Sequence, residues 1–124
     1  MELDENKSTP LFIQISEGLE NAILAGAYRE GDQVPSTTEL AVGYRINPAT
    51  ALKGINCLVD EGILYKQRGI GVFVKAGAVA HIKQKRAKRF QEDYLEPLLT
   101  EAERLDISAE QVVLWIKERQ HEGN

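Results

Sequence analysis

The sequence contains a single cysteine, Cys57, so it cannot form an internal disulfide. Cys57 lies among Ile55, Leu58 and Val59 in a predicted helix. A small packed side chain is the expected role there, and a redox or metal-binding role is not. A chain without disulfides is typical of a reducing compartment, and we expect the protein in the cytoplasm.

Long apolar runs are also missing. No segment approaches the roughly 20 consecutive apolar residues that a membrane-spanning helix needs. The N-terminus, Met1–Glu5, is acidic and has no apolar core, so no signal peptide is expected. The hydrophobic content of 43% is nevertheless that of a folded protein. We therefore expect one compact domain plus an appendage, without a membrane partner.

An excess of positive charge is the third feature that the chain lacks. It carries 15 basic and 19 acidic residues, for a net charge of −4. Residues 1–75 hold seven basic and ten acidic side chains, and residues 76–124 hold eight and nine. This balance argues against a protein that coats nucleic acid without specificity. It does not exclude a protein that reads DNA through a few positioned groups, because the local distribution of charge matters more than its sum.

Residues suited to catalysis or metal binding are scarce. His81 lies in a basic segment, His121 lies near the C-terminus, and Cys57 has no histidine close to it in sequence. The Gly69-x-Gly71 pair lies between two predicted strands with no helix directly after it, unlike a nucleotide-binding loop. We therefore expect no catalytic residue, no cofactor and no metal site, and we do not expect an enzyme.

The sequence does contain a series of helix-capping signals. After a flexible lead at residues 1–8, Thr9 is the predicted cap of a first helix with Pro10 at its first position. Ser36 and Glu39 fit a capping box, which predicts a second helix from Thr37 to Tyr44.

A third helix follows closely. Asn47 is its predicted cap, Pro48 opens it, and Gly62 ends it. Arg45 occupies the turn before it, where a left-handed backbone would cost about 1 kcal/mol or more. A phosphate contact by Arg45 would compensate for that cost, whereas a turn in the β-region would not carry it.

Two runs of strand composition come next, Ile63–Lys66 and Val72–Lys75, around glycines that permit a hairpin turn. Capped helices followed by such a hairpin are the order of parts in a winged helix-turn-helix DNA-binding domain, which we predict over residues 9–76. The predicted fold class is mainly α with a small β-hairpin wing (α+β).

Residues 77–124 are predicted to form a short two-helix dimerisation tail. Its first helix should run from Val79 to Leu105 and bend near Asp93, because Pro97 cannot donate to the Asp93 carbonyl. Ser108 is the predicted cap of the last helix. An apolar stripe on these helices is the predicted dimer interface: Phe90, Tyr94, Leu98, Ala102, Leu105, Leu114 and Trp115.

The predicted DNA contacts come from the two capped helices, the turn between them and the wing. They are Ser36, Thr38, Arg45, Asn47, Thr50, Lys53, Lys66, Arg68 and Gly69. A recognition helix needs short polar side chains in its first turn, since that end enters the major groove. Alternatively, Asn47 only caps its helix and Lys53 is an ordinary solvated lysine. The basic run at residues 81–89 is usually a solvated face, although it could also touch flanking phosphates.

Residues 10–74 resemble the N-terminal domain of the GntR family of bacterial transcription regulators. The stretches that carry the resemblance are Asp32-x-Val34-Pro35-Ser36-x-x-Glu39-Leu40-Ala41 and Arg68-Gly69-x-Gly71-x-Phe73-Val74. Ile46–Thr50 and the short tail with Tyr94–Leu99 are similar to the YtrA subfamily. The resemblance implies a homodimeric repressor of a palindromic double-stranded DNA operator, frequently that of its own operon with transporter genes.

The sequence departs from that family at several contact positions. Thr38 replaces an arginine that many members carry, Pro48 and Leu52 lie where basic residues are common, and Ile70 replaces a frequently basic wing-tip residue. We expect Thr38, Lys53 and Arg45 to substitute for the helix contacts, with a different operator preference. Lys66 and Arg68 are expected to carry the charge of the wing tip.

Two other functions remain open at this point. The protein could be a sensor whose small-molecule or metal ligand binds at the tail interface, or a winged-helix module that binds protein in place of DNA. The second alternative predicts that Thr50, Lys53 and Arg68 are dispensable. Nothing in the sequence identifies an effector.

Overall fold

The structure, a computed structural model, describes residues 1–123 and is mainly helical, with one antiparallel hairpin. The predicted fold class is confirmed. The chain forms two units, Met1–Lys83 and Gln84–Asn124. Its elements are α1 (Leu11–Leu24), α2 (Thr37–Tyr44), α3 (Pro48–Asp60), β1 (Leu64–Gln67), β2 (Gly71–Val74), α4 (Ala78–Phe90), a π-helical segment (Gln91–Leu95), α5 (Glu96–Arg104) and α6 (Ala109–Glu122). None of the helices among the described residues combines the length and the apolarity that crossing a membrane requires.

The core of the first unit lies where α1 crosses α3. Ile15 on α1 and Ile55 on α3 are fully buried. Gly54 permits this close approach, because a Cβ at that position would lie 2.8 Å from Cγ2 of Ile15. The core extends into α4, where Ala78 and Ile82 are buried, and the first unit continues to Lys83.

The start of α1 differs from the prediction. Pro10 precedes the helix without a side-chain cap, and Leu11 is the first helical residue. Thr9 was the expected cap, but its contribution is a carbonyl that accepts a hydrogen bond from Nε2 of Gln14 at 2.8 Å.

The N-terminal segment is attached to α1 and is not the flexible lead that was predicted. Asp4 N donates to Oε1 of Gln14, and Gln14 Nε2 donates to the Asp4 carbonyl, both at 2.8 Å. Gln14 is buried, so these bonds satisfy an amide that would otherwise lack water. Leu3 packs against the core beside them. Such contacts join residues ten positions apart, which no local pattern reveals.

The hairpin pairs Leu64 with Val74 and Gln67 with Gly71, one residue displaced from the predicted strand ends. A third extended segment adds to its edge. Val34 N donates to the Val72 carbonyl at 2.9 Å, and Gln33 forms an isolated bridge with Phe73. The wing is therefore anchored to the segment that leads into α2.

The predicted long helix of the tail is interrupted. A π-helical turn, Gln91–Leu95, lies directly before α5, and the Glu96 amide donates to the Gln91 carbonyl five residues back. Pro97 has no N–H to give the Asp93 carbonyl, which favours this irregularity. The prediction located the disturbance correctly but expected a bend in an α-helix, whereas the structure contains an inserted π turn.

The turn between α5 and α6 ends the first of these helices and caps the second. Asp106 adopts a left-handed conformation with φ of 56°, and the Ile107 amide donates to the Ala102 carbonyl at 2.8 Å. These bonds form a Schellman-type helix end. Ser108 Oγ then accepts from the Gln111 amide at 3.1 Å, as the capping prediction required.

Candidate nucleic-acid interface

Both capping signals of the helix-turn-helix are present in the structure. The Glu39 amide donates to Ser36 Oγ at 3.0 Å, and the Ser36 amide donates to Oε1 of Glu39 at 3.1 Å. Ser36 is therefore half-buried and engaged in the cap, while Thr38 is exposed in the first turn of α2. Of these two predicted contacts, Thr38 has the more accessible side chain.

Arg45 occupies a left-handed backbone conformation, with φ of 53° and ψ of 49°. The Ile46 amide donates to the Ala41 carbonyl at 3.0 Å, and the Arg45 amide approaches the Val42 carbonyl at 3.4 Å. This pattern ends α2 as a Schellman motif would, but with arginine where glycine is usual. The side chain of Arg45 is exposed beside the start of α3. Arg45 therefore has a strained backbone conformation at a position where its guanidinium can reach a partner molecule.

Asn47 caps α3 as predicted, since its Oδ1 accepts from the Ala49 amide at 2.8 Å. Pro48 follows at the first helical position, where its missing N–H costs nothing. Asn47 is exposed. Its capping role and a DNA contact are compatible, because the cap uses only the amide oxygen.

The exposed side of α3 is formed by Ala49, Leu52, Lys53 and Asn56, which lie at i, i+3, i+4 and i+7 and so share one face. We call these four residues the α3 outer face. Asn56 is half-buried and the other three are exposed. Thr50, another predicted contact, is half-buried at the flank of this face.

Lys53 has an aromatic partner that the sequence did not reveal. Its Nζ lies 4.1 Å from the centre of the Phe12 ring, which is a cation–π distance. At an exposed site such a contact contributes about 0.5–1 kcal/mol. A phosphate group can displace a contact of this strength. The Phe12 ring therefore orients Lys53 and leaves its ammonium group able to bind DNA.

A side-chain hydrogen bond links the wing to α3. Lys66 Nζ on β1 donates to Oδ1 of Asn56 at 2.5 Å. The structure therefore brings a predicted wing residue against the α3 outer face. Sequence spacing could not show this, because it depends on how the hairpin folds back.

The wing tip is a tight turn at residues 67–70. The Ile70 amide donates to the Gln67 carbonyl at 2.9 Å, and Gly69 between them has φ of 77°. A positive φ at the third residue of a β-turn is the reason for glycine there. Arg68 is exposed, and so is the apolar side chain of Ile70, at 59%.

In the second unit, the predicted dimer residues other than Ala102 are exposed. Phe90 and Tyr94 are 61% and 65% exposed, and their ring centres lie 5.4 Å apart. The remaining exposed members are Leu98, Leu105, Leu114 and Trp115. Ala102 is buried, at 7%, so its side chain does not lie on this apolar surface.

The described part of the chain, residues 1–123, contains no group of three or more histidine, cysteine, aspartate or glutamate side chains that could hold a metal ion. The groups that these residues present to a ligand are a short helix face with one lysine, a basic wing and an exposed arginine in a strained turn. These groups suit contacts to phosphate and to base edges better than bond-breaking chemistry.

Comparison with known proteins agrees with this geometry. Residues 13–74 match the model of a family described as "Bacterial regulatory proteins, gntR family". The chain is 30% identical to the HTH-type transcriptional repressor YtrA of Bacillus subtilis over 118 residues, which are 95% of this chain and 90% of YtrA.

Two solved structures are also similar. A putative transcriptional regulator of the GntR family from Bacteroides thetaiotaomicron aligns with a TM-score of 0.80 at 28% identity, over 91% of this chain and 98% of that one. The DNA-binding domain of AraR in complex with operator ORR3 aligns with a TM-score of 0.53 at 28% identity, over 60% of this chain and 89% of that one.

Proposed function

Since the chain belongs to the GntR family of bacterial transcription regulators, within its YtrA subfamily, we propose that it represses transcription by binding a palindromic DNA operator as a homodimer. The family and its regulatory role, which is not enzymatic, follow from the comparisons. The operator symmetry and the dimer are the proposal.

The observation that carries the DNA-binding step is the junction of α3 and the wing. Lys66 binds Asn56, so the wing and the α3 outer face form one continuous surface. A helix of this kind can enter the major groove while the wing follows the backbone or reaches the minor groove. Lys53, Arg45 and Arg68 provide cations around it.

The homodimer is proposed from the second unit. Ten large apolar side chains between Phe90 and Ile116 are each at least 39% exposed. Monomeric proteins rarely leave so many apolar groups in contact with water, whereas pairing with the same surface of a second copy would cover them. A two-fold dimer in turn requires a two-fold operator, with half-sites about one DNA turn or a multiple of it apart.

We propose that the regulated DNA includes the upstream region of the protein's own gene, and that the protein acts in the cytoplasm, where that DNA is. Both statements apply to this chain what is usual among members of the family. The upstream region is therefore the first duplex to test.

A sensor with its ligand at the tail interface remains the second candidate. The apolar surface of the second unit could accept an apolar effector, which would then modulate the dimer and not replace DNA binding. Thermal shift of the protein and loss of operator binding on addition of one compound would establish it.

The decisive experiment is binding of the intact protein to a duplex of its own upstream region, measured by fluorescence anisotropy at two salt concentrations. We expect specific binding that weakens with salt, because phosphate contacts release counterions. Thr50→Ala and Lys53→Ala should weaken it, and Lys53→Ala should also lower the salt slope by about one unit if its contact is to phosphate. Lys117→Ala on α6 is the matched control and should bind normally. If both α3 variants bind as well as the intact protein, α3 is not the recognition helix.

A further inference from the structure

The first two turns of the α3 outer face are unusually apolar for a surface that reads DNA. Ala49 and Leu52 lie one turn apart on the α3 outer face, and Leu52 is 41% exposed. Neither side chain belongs to the core cluster of the first unit. Two methyl-bearing side chains are therefore displayed in the first two turns, the part of a recognition helix that contacts base edges.

The two polar members of the same face already have partners within the protein. Lys53 lies over the Phe12 ring, and the amide oxygen of Asn56 accepts from Lys66. Asn56 could still donate to a base from its NH₂ group. A two-pronged contact to adenine needs both ends of the amide, so the Asn56 oxygen would have to accept from the base beside Lys66 or release Lys66.

Groups that could read guanine are scarce on α3. The commonest specific contact to guanine is a two-pronged bond from arginine, or from lysine, to O6 and N7. The sequence of α3 contains no arginine, and its one lysine is Lys53. Arg45 and Arg68 lie outside the helix, in the turn before it and in the wing.

We infer that α3 recognises thymine by its C5-methyl group, with Leu52 and Ala49 as the apolar contacts, so that the operator half-site has A·T pairs at the positions that these two side chains meet. This inference rests on the proposed function and specifies the DNA that it binds. The C5-methyl group is the one apolar feature that a base presents in the major groove, and apolar side chains are its natural partners. The alternative is that a partner protein with an apolar surface binds these two side chains. Such a protein would have to cover α3 in place of DNA.

The first test is selection of bound duplexes from a random-sequence pool by the intact protein. Thymines should be enriched at two neighbouring positions of each half-site. Enrichment of guanine at those positions would contradict methyl recognition while leaving sequence-specific binding intact. Failure to enrich any sequence would contradict DNA recognition itself, and so the proposed function with it.

The second test replaces each enriched thymine by deoxyuridine, which deletes only the methyl group. Affinity should fall about fourfold per methyl, as burial of one such group contributes about 0.8 kcal/mol. The same replacement in the flanking DNA is the control and should change nothing.

The protein side of the test is Leu52→Ala. This variant should bind the thymine duplex about as weakly as the intact protein binds the deoxyuridine duplex. At the thymine that Leu52 contacts, replacement by deoxyuridine should no longer lower the affinity of the variant. Leu52→Met keeps an apolar side chain and should retain the distinction. Leu52 is outside the core, so circular dichroism should show both variants folded. Equal affinity of the intact protein for thymine and deoxyuridine duplexes would overturn the inference.

Discussion

Gln33 and Ile70 are joined by a hydrogen bond across 37 residues of sequence: Nε2 of Gln33 donates to the Ile70 carbonyl at 3.2 Å. The bond fastens the wing tip to the extended segment before α2. Gly71, with φ of 152°, makes it possible, because a Cβ there would overlap the Gln33 amide. The glycine is thus needed both for its backbone and for the space beside it.

We predict that Gly71→Ala and Gln33→Ala each weaken operator binding, because both leave the wing tip without its support. Gln33 is exposed, so its loss should cost at most about 1 kcal/mol of unfolding free energy. Gly71→Ala should cost more, since it combines an unfavourable φ with overlap. Anisotropy titrations and urea unfolding measure the two effects. Gln67→Ala is the control on the opposite strand. Normal DNA binding by Gln33→Ala would show that the wing tip does not need this bond.

A second prediction concerns two glycines within helices. Gly54→Ala should destabilise the fold by about 1–3 kcal/mol, because its methyl group would press against Ile15 and the Phe12 carbonyl, at 2.8–2.9 Å. Gly43→Ala in α2 meets no atom within 4 Å and should stabilise by about 0.5–1 kcal/mol through helix propensity. Urea denaturation of the pair measures both. Equal effects in the two variants would mean that α1 and α3 are not in the close contact described.

The third prediction separates stability from binding at Arg45. Arg45→Gly removes a left-handed non-glycine residue, a conformation that costs about 1–2 kcal/mol. The greater freedom of glycine in the unfolded chain offsets about 0.4–1 kcal/mol of that gain. Unfolding free energy should therefore be unchanged or slightly raised, while operator affinity falls and the salt slope decreases by about one unit.

Asp106 offers the matched control for this change, since it is the other non-glycine residue with positive φ among residues 1–123. Asp106→Gly should have a similar effect on stability and none on the salt slope. If Arg45→Gly binds DNA normally, the strained turn is not kept for a phosphate contact.

The sequence predicted the elements that depend on local chemistry. Ser36 with Glu39 and Asn47 with Pro48 located the starts of α2 and α3, because a cap and its helix are only a few residues apart. Gly69 located the wing turn for the same reason. Ser108 did so for α6.

The parts that the sequence did not predict depend on distant residues. The bond from Gln33 to Ile70, the ring of Phe12 under Lys53 and the attachment of Asp4 to Gln14 all require the fold before they exist. The π turn at Gln91–Leu95 was missed for another reason. Pro97 predicts a disturbed helix. Whether that helix bends or accommodates an extra residue in a π turn depends on the packing around it.

The last prediction concerns the tail and requires a cut at the correct residue. Deleting everything after Lys75 removes Ala78 and Ile82 from the core, so that fragment should be poorly folded. A fragment of residues 1–83 keeps both side chains and should fold as a monomer. Its operator affinity should be lower than that of the intact protein by about 10²–10⁴, because linkage of two DNA-binding units is lost.

In the intact chain, Leu98→Glu places a charge on the exposed apolar surface of the second unit and should likewise give a folded monomer with weak binding. Lys117→Glu changes charge on α6 outside the predicted apolar set and should remain dimeric. Light scattering at micromolar concentration, together with anisotropy on a full and a half operator, distinguishes these cases. The intact protein should prefer the full operator strongly, whereas the 1–83 fragment should bind full and half operators almost equally. An intact protein that is monomeric at that concentration would contradict the dimer, and two-fold symmetry of its operator would then have to come from assembly on the DNA.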